Sequence, residues 1–122
     1  MYHIAFYETA NGHSDVREYL DLLLQKAKTD KDARIQYKQM ARYIQLLQDN
    51  GTNLPAEIVK YLADGIWELR PGNNRIFFFF YDGCAYVLLH HYRKKSQKTP
   101  AREIQRAKSE KKDYILRKEQ DQ

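Results

Sequence analysis

Arg70, Arg75 and His90 are the side chains in this sequence best suited to work on a phosphate, and each falls in a segment that reads as a β-strand. A guanidinium stays charged and offers a fork that matches phosphate oxygens, so two arginines suit a crowded, charged phosphorus centre. An imidazole beside them can move a proton. Arg93, Lys94, Lys95 and Lys98 follow directly, and Arg102 and Arg106 continue the positive run. Eleven of the chain's 21 Lys and Arg residues lie between Arg93 and Lys118, against three acids (Glu103, Glu110, Asp113), so the segment holds +8 while the rest sums to −3. A positive block on a compact domain points to a polyanion, nucleic acid above all. A solvated basic helix without a ligand is the plain alternative.

The 122 residues suffice for one domain with a single core, taken as residues 1–122. A hydrophobic share of 43% and an aromatic share of 13% fit a globular chain rather than a disordered one. The ten tyrosines and five phenylalanines supply burial from few positions and also stacking surfaces for bases. The lone Cys84 excludes an internal disulfide, and four scattered histidines give no zinc spacing, so neither a metal nor another cofactor is expected. No apolar run approaches the ~18 residues that span a bilayer, and MYHIAFYETA lacks the basic-then-apolar order of a signal peptide. A cytoplasmic protein without a membrane partner is the expectation.

The elements that must hold these side chains can be read from pattern. Residues 2–7 read as a short strand. A helix begins at Ser14 or Asp15, with Val16, Leu20, Leu23 and Ala27 on one stripe. A second follows Thr29-Asp30, with Ala33, Tyr37, Met40, Ile44 and Leu47 on its buried stripe, and Asn50-Gly51 ends it. The two form an αα-hairpin. Residues 56–63 read as a helical turn, and Ala63-Asp64-Gly65 as a break. Strands are predicted at about 66–70, 75–81 and 84–92, joined by Pro71-Gly72-Asn73-Asn74 and by a two-residue type I′ turn at Asp82-Gly83. Thr99-Pro100 reads as a helix start, with Thr as cap, for a helix running to about Arg117. The order β-α-α-β-β-β-α makes an α+β domain with a small antiparallel-rich sheet, the αα-hairpin on one face and the last helix on the other.

A two-residue turn at 82–83 pairs Arg75 with His90, Phe77 with Leu88 and Phe79 with Tyr86. The four-residue turn before it sets Arg70 opposite Arg75. Side chains alternate faces along a strand and share a face across a ladder. One face then carries Trp67, Leu69, Ile76, Phe78, Phe80, Val87 and Leu89 and packs on the αα-hairpin. The other carries Arg70, Arg75 and His90 in a row, with Tyr92 beyond them, as an open shelf above an apolar lower half covered by the last helix. Two like charges side by side call for an anion, either a ligand or Glu68. A slip of one residue in either turn moves the row to the other face.

The stretch IWELRPGNNRIFFFFYDGCAYVLLHHYRKKSQKTPAREIQRAK, residues 66–108, resembles the RelE/ParE superfamily, and within it the HigB-like phage-derived toxins. WELRPGNNRIFF, VLLHHYRKKSQKTP and EIQRA agree with that group in order and spacing. The resemblance implies the toxin of a type II toxin–antitoxin pair that enters the ribosomal A site and cuts messenger RNA without a metal. It implies as partner a small helix-turn-helix antitoxin, HigA-like, encoded alongside. Arg70 and Arg75 match the group's arginines on either side of the first turn, Lys94, Lys95 and Lys98 its basic stretch after the final strand, and His90 a common histidine. Some relatives hold a histidine or tyrosine near the very C-terminus, where this sequence has Lys118-Glu119-Gln120-Asp121-Gln122.

The chemistry so implied is attack of a 2′-hydroxyl on its neighbouring phosphodiester, a group that only RNA supplies. Arg70 and Arg75 would steady the phosphorane, and His90, or else Lys94 or Lys95, would take the hydroxyl proton. Tyr92 would stack on a base, while Arg93, Lys98, Arg102 and Arg106 would hold backbone phosphates. Two other functions fit the same residues: a ParE-like topoisomerase inhibitor that performs no chemistry, and a non-catalytic RNA- or ribosome-binding module.

Overall fold

The computed structural model describes residues 1–121. In chain order the elements are β1 (His3–Phe6), α1 (Asp15–Lys26), α2 (Lys31–Asn50), β2 (Val59–Ala63), β3 (Ile66–Leu69), β4 (Asn74–Tyr81), β5 (Ala85–Arg93) and α3 (Ala101–Gln120). Both helices of the αα-hairpin start on the side chains their sequence offers. Ser14 Oγ accepts from the Arg17 amide at 3.3 Å, and Asp30 Oδ1 accepts from Asp32 and Ala33 at 2.9 and 3.3 Å, satisfying amides that a helix start leaves unpaired. Gly51 closes α2 with φ 61°, and a Cβ there would sit 2.8 Å from Tyr86 Oη. Only glycine meets both conditions.

The strands form one five-stranded sheet in the order β1-β5-β4-β3-β2, with β1 parallel to β5 and the other pairs antiparallel. The αα-hairpin covers one face, where Val16, Leu23, Ala33, Met40 and Leu47 meet Leu69, Ile76, Phe78, Tyr86 and Leu88. On the other face Ala107, Ile104, Tyr114 and Ile115 of α3 meet Ile66, Phe77, Phe79, Val87 and Leu89. β4 therefore serves both cores: Phe77 and Phe79 point to α3, and Phe78 to the hairpin. Full burial of each such ring contributes about 1.5–3 kcal/mol. The α+β architecture, with helices on opposite faces, is the one the sequence predicts.

Three local expectations are corrected. Within residues 56–63 the turn ends by residue 58 and the chain becomes edge strand β2, which pairs with β3 through Ala63↔Ile66. Asp64 (φ 51°) and Gly65 (φ 80°) form the turn between them, so the first Asp-Gly of the sequence is a hairpin turn and not merely a break. At Asp82-Gly83 the ladder closes at Tyr81↔Ala85, which places three residues in the loop, and Phe78 faces Leu88 where Phe77 was expected. Tyr86 and Leu88 thereby turn to the αα-hairpin, and Val87 and Leu89 to α3. Both faces are apolar over this stretch, so hydrophobic pattern alone does not choose between the two registers. Finally, α3 starts at Ala101 without a side-chain cap, because the Thr99 hydroxyl is donated elsewhere.

Candidate nucleic-acid interface

A bulge in β5 sets the geometry. Phe78 pairs with Leu88, but Ile76 pairs with His91, so Leu89 and His90 together oppose Phe77. The extra residue shifts the ladder once more, and Arg75 pairs with Tyr92. Two one-residue shifts restore the face. Glu68, Arg75, His90 and Tyr92 all lie on the α3 side, with the His90 and Tyr92 rings against Phe77 at 4.8 and 5.6 Å between centroids.

The row is not the open shelf its sequence suggests, since Arg75 is 5% exposed and His90 0%. The anion between the arginines is internal: Glu68 Oε1 lies 3.6 Å from Arg70 Nε and 3.8 Å from Arg75 Nε, and Glu68 Oε2 accepts the Thr99 hydroxyl at 2.9 Å. Arg75 also donates to the carbonyls of Gly72 and Asn74 at 2.8 and 2.9 Å. Burial, then the neighbouring Arg70 charge, lowers the Arg75 pKa, with Glu68 opposing. Arg70, half-buried, donates to the Ala56 carbonyl at 3.1 Å. Burial raises the Tyr92 phenol, while its hydrogen bond with Thr99 pulls it down.

His90 is held at both nitrogens by α3. Nδ1 lies 2.5 Å from Glu110 Oε1 and Nε2 lies 3.0 Å from Glu103 Oε1. Glu110 Oε2 pairs with Arg106 Nε at 3.3 Å, and Arg106 Nη2 reaches Asp15 Oδ2 at 3.4 Å. Asp15 Oδ1 accepts from the His91 amide at 2.9 Å and lies 2.5 Å from His91 Nδ1. The His91 ring stacks on Tyr19 at 3.9 Å.

Above this layer, where β5 runs out and α3 begins, lies a groove of about 270 Å³ lined by Tyr92, Arg93, Lys95, Ser96, Lys98, Pro100, Arg102 and Glu103. Four cations and a half-buried aromatic thus face one cleft, the combination that grips a single-stranded backbone and stacks a base. A cavity of about 350 Å³ on the far half of α3 has a mixed lining that includes Asp64, Lys108, Leu116 and Glu119, and none of the sequence's site candidates borders it. Among the described residues, no group of three or more His, Cys, Asp or Glu side chains is placed to hold a metal ion, and no helix is long and apolar enough to cross a membrane.

A sequence model of the family described as phage-derived protein Gp49-like (DUF891) matches residues 25–112. The chain belongs to this family. Gp49-like proteins are toxins of the RelE/ParE type, a class that implies an antitoxin partner. A comparison with curated proteins finds no match.

The family match runs from the end of α1 into α3, so it contains the whole groove of this Gp49-like chain and Glu68, Glu103 and Glu110 beneath it, but not Asp15. Of the residues singled out by sequence, Tyr92, Arg93, Lys95, Lys98 and Arg102 line the groove. Lys94 does not; it is half-buried, with its amide on the Asn73 carbonyl at 2.7 Å. Arg106 is tied to Glu110 and Asp15 rather than free for phosphate. Sequence reasoning passed over Thr99, Glu103, Glu110 and Asp15. The first hides as an apparent cap. Glu103 and Glu110, seven residues apart, share one face of a helix, and that spacing opposite a His-His pair was the available signal.

Proposed function

We propose that this Gp49-like chain is the HigB-like toxin of a type II toxin–antitoxin pair, a metal-independent endonuclease that cuts messenger RNA on the ribosome. The observation that carries this reading is the convergence of Arg93, Lys95, Lys98 and Arg102 on one groove beside Tyr92. In the proposal these cations seat consecutive phosphates and Tyr92 takes a base on its ring. Cleavage uses the RNA's own 2′-hydroxyl as nucleophile. Arg70 and Arg75 act from below: through Glu68 they fix Thr99, and through Thr99 the turn that presents Lys98. His90 acts from below in the same way, through Glu103, and Lys94 flanks the groove. The antitoxin is a small HigA-like helix-turn-helix protein.

The test is induction of a Lys95→Ala, Lys98→Ala, Arg102→Ala triple variant beside the parent chain. All three side chains are exposed, so the fold should persist, as circular dichroism would show. Loss of one preorganised charge stabiliser lowers a rate about 10²–10³-fold, so growth arrest and new transcript 5′ ends should both vanish. A triple variant that still cuts messenger RNA at the parental rate refutes the groove. Arrest of DNA supercoiling with intact transcripts would instead identify a ParE-like inhibitor.

A further inference from the structure

We propose that Glu103 is the group that takes the 2′-hydroxyl proton, held in position by the buried His90–Glu110 pair; this rests on the reading of the groove as an RNA-cleaving site. Glu103 is the one carboxylate in that lining. A carboxylate among four cations weakens a surface that only grips phosphate, because like charges repel. Service as a tether for His90 does not account for it either, since Glu110 already engages that ring at 2.5 Å.

The geometry divides the two oxygens of Glu103. Oε1 takes His90 Nε2 at 3.0 Å. Oε2 has no hydrogen bond among the described residues and lies 4.0 Å from Arg102 Nε. One oxygen is therefore anchored to a ring that is 0% exposed, packed on Phe77 and fixed at its other nitrogen by Glu110. The second is left for a ligand in the groove. A base oriented by a second group, itself oriented by a third, is the general arrangement for withdrawing a proton from a hydroxyl.

In the step proposed, Glu103 Oε2 accepts the 2′-hydroxyl proton as the 2′-oxygen bonds to the adjacent phosphorus. The bond from phosphorus to the 5′-oxygen breaks, giving a 2′,3′-cyclic phosphate. The departing 5′-oxygen takes a proton from the ammonium of Lys95 or Lys98, and solvent then removes the proton from Glu103 and returns one to the lysine. Arg93 and Arg102 hold the phosphate oxygens while charge builds on them. His90 is a positioning residue and does not touch RNA.

The experiment uses the full chain with translating ribosomes. Glu103→Gln keeps the length of the side chain and an oxygen for His90, and Glu103→Asp keeps the carboxylate one methylene short. Loss of a general base slows cleavage about 10²–10⁴-fold, so Glu103→Gln should fall in that range while ribosome binding stays within about twofold, and Glu103→Asp should retain more activity than Glu103→Gln. A message with sulfur in place of the scissile 5′-oxygen needs no proton on departure. It should leave Glu103→Gln slow and, at saturating ribosomes, narrow the rate deficit of a Lys95→Ala, Lys98→Ala variant. Parental rates in Glu103→Gln overturn the inference, and the groove reading stands if the lysine and arginine variants are still inactive. Rescue of Glu103→Gln by the sulfur substrate also overturns it, since that would mark an acid. Absence of cutting by the parent chain overturns both.

Discussion

Single carboxylates organise this molecule, and Asp15 shows how. It accepts from the backbone and ring of His91 and from Arg106. Burial pushes its carboxyl up, but the His91 hydrogen bonds and the His91 and Arg106 charges outweigh that and hold it below the ordinary carboxylate range. Because the folded state prefers the ionised form, Asp15 contributes stability above about pH 4, and the contribution fades as pH falls through the depressed folded value. Asp15→Asn should therefore cost about 1–3 kcal/mol at pH 7, seen as a lower urea midpoint, and the gap from the parent should narrow near pH 3. At the residue scale the sequence was half legible. Arg93, Lys95, Lys98 and Arg102 could be named as site candidates because runs of charge after a strand are visible in one dimension, and the fold brings them to one groove. The burial of Arg75 and His90 could not: Glu68 was only one of two anions open to the arginines, and Glu110 and Glu103 reach His90 from 20 and 13 residues along the chain.

Among the elements, the αα-hairpin was readable nearly to the residue, since α1 and α2 each carry one apolar stripe and a side chain that can cap the start, Ser14 or Asp15 for α1 and Asp30 for α2. The β4–β5 pair was not. Its strands are apolar on both faces, so the register follows from the loop at Asp82-Gly83-Cys84 and from the Leu89-His90 bulge, neither of which leaves a hydrophobic signature. The two departures cancel at the end that matters, which is why the Arg75, His90 and Tyr92 grouping survives a mistaken ladder. β2 escaped notice as a short edge strand with Lys60 and Tyr61 exposed. The joint between the hairpin and the sheet is intolerant at Gly51. Gly51→Ala combines a left-handed backbone with a Cβ crowding Tyr86 Oη. The backbone part alone costs roughly 1–2 kcal/mol, so thermal melting should move down by several degrees.

Across the whole molecule, charge is segregated as well as positive: the net +5 conceals an acidic-leaning body and a strongly basic end. Affinity for ribosomes or RNA should therefore fall steeply with added salt. Each groove cation removed should flatten the log–log slope by about 0.7 if the ligand is single-stranded, as titrations at several salt concentrations would show. Slopes unchanged in the Lys95, Lys98 and Arg102 variants would place the contact surface elsewhere. β1 matters at this scale too. It is hydrogen-bonded beside β5 only along Ala85–Leu88, and past that point Asp15 occupies the His91 amide. A sheet with a bare margin invites a neighbouring molecule to lengthen it. Here Asp15 of α1 occupies a donor of that margin just before the basic cleft, which leaves a neighbouring strand one fewer amide to pair with there.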